Sequence, residues 1–470
     1  MKTFSIGLLI CAIAGCRVEG HYVAPDSPPP GDVLWAKQIG GGEFDGGKAV
    51  ALDSSHHLIA VGSFRQTINP STELSSSGED DIYVVKLDSS TGDVIWAKRI
   101  GGKRWDGVFG VAIDASDNIY IGGYFAGLID FGARTLMATR ESAAFVLKLN
   151  ADGGFGWARK IDGSGFAGRA ARIMYGAIAT DGDSVVVVSN YIGSVTVDTT
   201  TLIGAGEFDI VAMKLSASSG ESLWVKSLGG AFDELVVGLA LDNSSNIVIT
   251  GAFRGTTDFG GGPLSAQQDA GFLLKLASAD GSHLVSKAFG GMEEGYGSAV
   301  AVDSADNILI TGGFYGIATF GCAESLRSSQ ERLSDAFLAK YTQAGACIWV
   351  KGIGGTSGAR QPTAIALSGS DDVTIAGGFC GSISPNNEVL SSASACSLQD
   401  GFAARFSSDG QYLGAIRVGG TSDDHIFGIA QGNDGQLFIS GLFGGFSEFG
   451  RDSLTAVGDS DAFIVAFTPW

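Results

Sequence analysis

A short motif returns seven times along the chain: a Trp or aliphatic residue, a basic residue, then a glycine doublet. The doublets are Gly40-Gly41, Gly101-Gly102, Asp162-Gly163 (degenerate), Gly229-Gly230, Gly290-Gly291, Gly354-Gly355 and Gly419-Gly420, at intervals of 61, 61, 67, 61, 64 and 65 residues. A sustained period of this length means one supersecondary unit repeated, not a string of unrelated domains. Each period holds four apolar runs of five to eight residues, rich in β-branched and aromatic side chains and bounded by Asp, Asn, Ser and Gly. Such runs read as strands joined in hairpins. Beyond the first 15 residues, no window shows the 3.6-residue apolar period of a long amphipathic helix.

We name the four strands a, b, c and d in chain order. Strands a, b and c recur seven times. Six copies of d follow a strand c, around Trp96, Trp157, Trp224, Val285, Trp349 and Ile416; the seventh, residues 32–39, stands alone before the first strand a. The last period stops at its strand c, so the chain begins with an orphan d and ends lacking one. A four-stranded antiparallel sheet cannot bury both its faces alone, and sheets stacked around an axis can. The expectation is an all-β, seven-bladed β-propeller of four-stranded antiparallel blades. A 1+3 clasp closes it, with the N-terminal strand d completing the last blade. Residues 32–470 then form one domain. The 72 glycines read as punctuation of this unit and not as disorder, because 45% of the residues are hydrophobic.

Residues 1–15 carry one lysine and a short apolar run, too short to span a bilayer, and read as a signal peptide. Ile13-Ala14-Gly15-Cys16 resembles a bacterial lipobox. That resemblance implies a diacylated Cys16 whose freed amine is acylated, a stable anchor because each buried CH₂ contributes about 0.8 kcal/mol. Residues 16–31, with Pro25, Pro28, Pro29 and Pro30, read as a tether. Arg17 follows the cysteine where an Asp does not, which implies the outer membrane or cell surface by resemblance to enterobacterial sorting. The net charge of −20 argues against nucleic acid and against contact with anionic lipid other than through the anchor. A monomer is expected.

With Cys11 in the signal and Cys16 lipidated, Cys322, Cys347, Cys380 and Cys396 remain. An even set in an exported protein suggests disulfides, and four cysteines allow three pairings. Cys380 ends a strand b and Cys396 lies just before the next strand c, which favours that pair and leaves Cys322 to Cys347. No Cys-x-x-Cys spacing occurs and the five histidines are scattered, so no metal site is expected.

The b-to-c connections, about 17–20 residues long, and the d-to-a crossings open on one face, where recognition usually lives. The crossings bear Asp45, Asp106, Asp233, Glu294 and Asp424. Two readings compete for them: an acidic ring at the channel mouth, for which calcium is the one ion to test, or carboxylates that cap local turns. The third and sixth periods lack a matching acid. There is no Gly-x-Ser-x-Gly elbow, His-Glu-x-x-His or phosphate loop, so no catalytic residue is named, no cofactor is expected and the chain reads as a non-enzyme.

The repeat running from Asp81-Ile-Tyr-Val-Val-Lys-Leu-Asp through Trp96-Ala-Lys98, Gly101-Gly102, Asp106 and Asn118-Ile-Tyr-Ile-Gly-Gly-Tyr-Phe125 resembles the SBBP β-propeller repeats. These are frequent in secreted and lipid-anchored proteins of myxobacteria. The resemblance covers residues 32–467 and implies a propeller in the envelope or outside it, with no agreed activity. Asp88-Ser-Ser-Thr-Gly92-Asp-Val-Ile-Trp96 is also similar to the tryptophan-docking repeat of quinoprotein dehydrogenases and of a barrel-assembly lipoprotein. Those have eight blades and a shorter period. The resulting expectation is a lipid-anchored binding or scaffold module for a protein or glycan, with an envelope assembly factor or an exported lyase or hydrolase as alternatives.

Overall fold

In the computed structural model, residues 31–163, 176–291, 293–330, 333–355, 360–384, 389–393 and 398–469 are described. The signal peptide, Cys16 and all but the last residue of the tether lie outside them, as does Cys396. The described chain is all-β. Within each repeat the strands pair antiparallel in the order a-b-c-d, as in Asp45–Leu52, His57–Ile68, Leu74–Asp88 and Val94–Gly102. The N-terminal strand Val33–Ile39 pairs antiparallel with the C-terminal strand Asp461–Phe467, Trp35 opposite Ala466 and Gln38 opposite Phe463. The a strands touch one another in chain order, and the last, Asp424–Gln431, touches the first, so they surround one axis.

The expected set of seven separate four-stranded blades is corrected. Five sheets stand apart as blades, three with four strands and two with six, and a ten-stranded sheet takes in the first two repeats. The cause lies in the b-to-c connections. They are not loops but hairpins that continue strands b and c outward. The outer part of Ile119–Asp130 pairs with the end of the preceding strand d, placing Gly101 opposite Asp130 and Gly102 opposite Ile129. Ser194–Val197 adds to Phe155–Gly163 in the same way, which extends the merged sheet to ten strands. Hairpins of the fifth and seventh repeats likewise enlarge the sheets before them, through Gly290 opposite Thr319 and Gly419 opposite Glu448.

The core lies between successive repeats. Ile59, Val61, Ile82 and Val84 of the first pack with Ile121, Phe125, Phe145 and Leu147 of the second. Trp35, Ile464 and Phe438 join Val50, Ala60 and Val85 across the closure. Strand b is covered on both faces: all eight residues of Ser184–Tyr191 are buried, as the unbroken apolar run Val185–Val188 requires. The strand-d tryptophans bridge repeats. Trp35, Trp157 and Trp224 donate their indole N–H to Ser89, Ala217 and Ser278 in the next c–d turn at 2.8, 3.0 and 3.1 Å.

Candidate functional site

The glycine doublets are explained by what approaches them. A Cβ on Gly102 would stand 1.7 Å from the carbonyl oxygen of Leu128 in the next hairpin; on Gly291 and Gly420 it would meet Ile317 and Phe446 oxygens at 1.7 and 1.8 Å. The first glycine of the pair makes room for a carboxylate instead: a Cβ on Gly101 would lie 2.3 Å from Cγ of Asp81, the first polar residue of the inner part of strand c. The second glycine then gives its N–H to the acid four residues on. Gly41, Gly102, Gly230 and Gly420 donate to Asp45, Asp106, Glu234 and Asp424 at 2.7, 2.6, 2.8 and 2.8 Å. These carboxylates open strand a opposite the phenylalanine that ends the ordinary strand b, as Asp106 does opposite Phe125 and Glu234 opposite Phe253.

The five acids expected at a channel mouth are not brought together as one open ring. Asp45, Asp106 and Asp424 are buried and are committed to the turn that follows the glycines. Asp233 sits one residue before the capping acid and accepts the Phe208 N–H at 3.2 Å. Glu294 is exposed, and Gly295 takes the capping position of its repeat. Glu234, which the sequence reading passed over, is the acid that belongs with the other three. The signal was a constant spacing of four residues from the second glycine.

Each capping acid lies near the strand-c acid of the preceding repeat. Burial pushes Asp106 up to about 8, against the Gly102 hydrogen bond and with the charge of Asp81 adding to the rise. Burial likewise raises Asp45, Glu234 and Asp424 to about 7, with Asp461, Asp209 and Asp400 as the neighbouring charges. Asp81 Oδ1, Asp106 Oδ1, Asp209 Oδ1 and Glu234 Oε1 are buried without a hydrogen-bond partner among the described residues. The strand-c acids also hold the hairpin bases: Asp81 accepts the Ser77 N–H at 2.9 Å and an Arg99 N–H at 2.6 Å. Among the described residues no group of three His, Cys, Asp or Glu side chains could hold a metal ion.

Beyond this buried lattice, large apolar side chains on the crossings and hairpins stand in solvent. Phe44 and Phe232, on d-to-a crossings, are 44% and 51% exposed, and Met137, Ile203 and Val457, on hairpins, are 64%, 80% and 72% exposed. Leu128, Ile317 and Phe446 are also exposed. Cys322 is bonded to Cys347, linking a hairpin to strand d of the same repeat. Cys380 is disulfide-bonded, while its expected partner Cys396 lies outside the described residues.

No protein-family profile matches the chain. Over 216 residues it is 21% identical to an uncharacterized WD repeat-containing protein of Acanthamoeba polyphaga mimivirus, a match that takes in 39% of this chain. The chain spans about 15% of the length of that curated relative. Among solved structures it resembles Sqt1 from Chaetomium thermophilum, with a TM-score of 0.46, 11% identity and 94% and 99% of the two chains covered. A Dyadobacter fermentans protein of unknown function gives 0.43, 8%, 94% and 100%. A quinohemoprotein alcohol dehydrogenase from Comamonas testosteroni gives 0.39, 9%, 93% and 76%. Likenesses this distant carry no argument about fold or activity.

Proposed function

We propose that the chain is a binding or scaffold module that engages a protein or glycan partner through its hairpin face and performs no catalysis. The observation that carries this is the open apolar rim, Phe44, Phe232, Met137, Ile203 and Val457, on hairpins and crossings seated in a buried hydrogen-bonded lattice. Large apolar side chains held in water by a rigid base gain free energy when a partner covers them, and little ordering entropy is lost when it does. Fixed elements that present recognition residues are the usual division of labour in such folds. The likeness of the repeat to SBBP sequences supports an envelope setting, and the lipobox-like Ile13-Ala14-Gly15-Cys16 supports a lipid anchor at Cys16.

The test is capture from cell-envelope extracts by the full chain and by Phe232→Asp and Met137→Asp, at sites exposed enough to tolerate the charge. A partner retained by the parent and lost by both variants is expected. Undiminished capture by both would remove the hairpin face from the proposal. Fractionation of Cys16→Ala tests the anchor separately: release from membranes is expected, and retention there would refute lipidation at that residue.

A further inference from the structure

The a strands surround the axis, and their inner edges line an axial channel. Strand a is bulged at the same place in six repeats: its register with strand b shifts across Lys48, Phe109, Val237, Ser298, Thr363 and Phe427. Phe109 and Ser298 are buried, Val237, Thr363 and Phe427 are half-buried, and Lys48 is exposed. Strand a is the innermost strand of its repeat, and its two faces pack against the neighbouring repeats. A solvent-accessible side chain in the middle of it therefore stands in the channel.

Apart from Arg360, which opens the sixth strand a, no other strand a carries a lysine or arginine. The buried strand-c lysines Lys86, Lys275 and Lys340 are matched by Asp53, Asp242 and Asp303 at 2.7, 2.8 and 2.8 Å. Lys48 has no hydrogen bond or ion pair among the described residues. Its Nζ lies 5.3 Å from the centre of the Phe427 ring, on which His425 also stacks. The nearest acids at the head of strand a, Asp45 and Asp424, are held by glycine N–H groups. Desolvation by the channel wall pulls Lys48 below the ordinary lysine pKa, with no acid opposing the shift, and burial also lowers that of His425. Between the bulge and the a–b turn no strand a carries a charged side chain. Val111, Leu239, Ile365 and Ile429 keep partial exposure along that stretch.

We propose that the axial channel binds an amphiphilic anion, one oxyanion head on an apolar body, with the head on Lys48 Nζ and the body along the apolar wall towards the a–b turns. A desolvated ammonium without a counter-ion is costly in a folded chain, and a ligand oxyanion offsets that cost with a charge-assisted hydrogen bond. The Phe427 ring is a weak partner for the ammonium and leaves its N–H groups free to donate. The half-exposed aliphatic wall gains when hydrocarbon replaces water against it. A cation facing the axis is also the exception in a chain of net charge −20. A carboxylate and a phosphate ester supply the same head chemistry, so the test carries one of each.

Calorimetric titration of the full chain with octanoate and with octyl phosphate tests this, with octanamide as the neutral control and acetate as the head alone. One-to-one binding of an amphiphile, tighter than that of acetate or octanamide, is expected, and the tighter amphiphile identifies the head. Lys48→Met puts an uncharged side chain where other repeats carry Phe109 or Val237, so it should fold and melt no lower than the parent. It should bind at least about tenfold more weakly, about 1.4 kcal/mol. Lys48→Arg keeps the charge and should keep the binding. No saturable binding of either amphiphile up to about 10 mM, where even a Kd of about 1 mM would register, overturns the proposal. So does undiminished affinity in Lys48→Met, which would put the anion elsewhere, and so does acetate binding as tightly as octanoate, which would leave the apolar wall no part in it.

Discussion

Replacing Asp106 by Asn should make the protein less sensitive to pH. Asp106 is 2% exposed; one oxygen accepts the Gly102 N–H at 2.6 Å and the other has no partner among the described residues. Burial holds its pKa near 8 against an ordinary 3.8. The folded state therefore binds one proton more than the unfolded state between about pH 4 and pH 8. Stability falls as pH rises through that window, by up to about 1.4 kcal/mol per unit, and levels off above it. Asparagine is neutral throughout. Its carbonyl can accept from Gly102 and its amide can donate to the unpartnered Asp81 Oδ1. From about pH 5 to about pH 7 the variant should gain about 2–3 kcal/mol relative to the parent. Urea unfolding at several pH values between those limits measures this directly. Parallel stability curves for the two proteins would refute a proton held at Asp106.

Three further outcomes are expected. Gly102→Ala drives a Cβ into a main-chain carbonyl and should cost about 2–4 kcal/mol as the hairpin is forced off strand d, whereas Gly42→Ala, with nothing within 4 Å, should stay within about 0.5 kcal/mol; thermal melts compare them. Lys275→Met leaves Asp242 without its 2.8 Å partner in a pair whose side chains are 5% and 3% exposed, which should cost about 3 kcal/mol by denaturant unfolding. Burial pushes Asp242 up, but Lys275 and Asn246 outweigh it and hold it below 3.8, so the parent's advantage is present at neutral pH and fades in acid. Cys347→Ser opens the bond to Cys322, 25 residues away, and should cost about 2–4 kcal/mol by denaturant unfolding under oxidising conditions.

The period, the four strand positions and the pairing of the two chain ends were legible because each rests on local pattern or on counting. The number of separate blades was not. It depends on whether a polar connection folds into a hairpin and bonds to the sheet before it, and the segment around Leu128 and Thr135 carries no apolar alternation strong enough to announce strands. The glycine doublets were visible as markers, but their cause is tertiary: Gly102 is required by a carbonyl 26 residues further on. Choosing acids simply because the d-to-a crossings bear them admitted Asp233 and Glu294, which stand three residues after the second glycine where the capping acids stand four. Register would have rejected them, since Glu234 stands opposite Phe253 and Gly295 opposite Phe314. The turn-capping alternative weighed for these acids is what Asp45, Asp106 and Asp424 do.

A repeated fold supplies its own standard of comparison, because one seam shows what the next should contain. That reasoning separates the two faces. On the hairpin face the exposed side chains vary, while a glycine-held carboxylate recurs at Asp45, Asp106, Glu234 and Asp424. On the opposite face the bonding between a–b turns itself varies: an aspartate of the next turn accepts a main-chain N–H at three seams, from Ser54 to Asp117, Asn243 to Asp306 and Ser304 to Asp371. Strands a to d run the full height between these faces, so substitutions at their ends share no contact partner and should act independently. Gly435→Asp, a substitution in an a–b turn on the far face, should therefore leave capture of an envelope partner unchanged. Loss of capture in that variant would mean that the two ends communicate through the sheet.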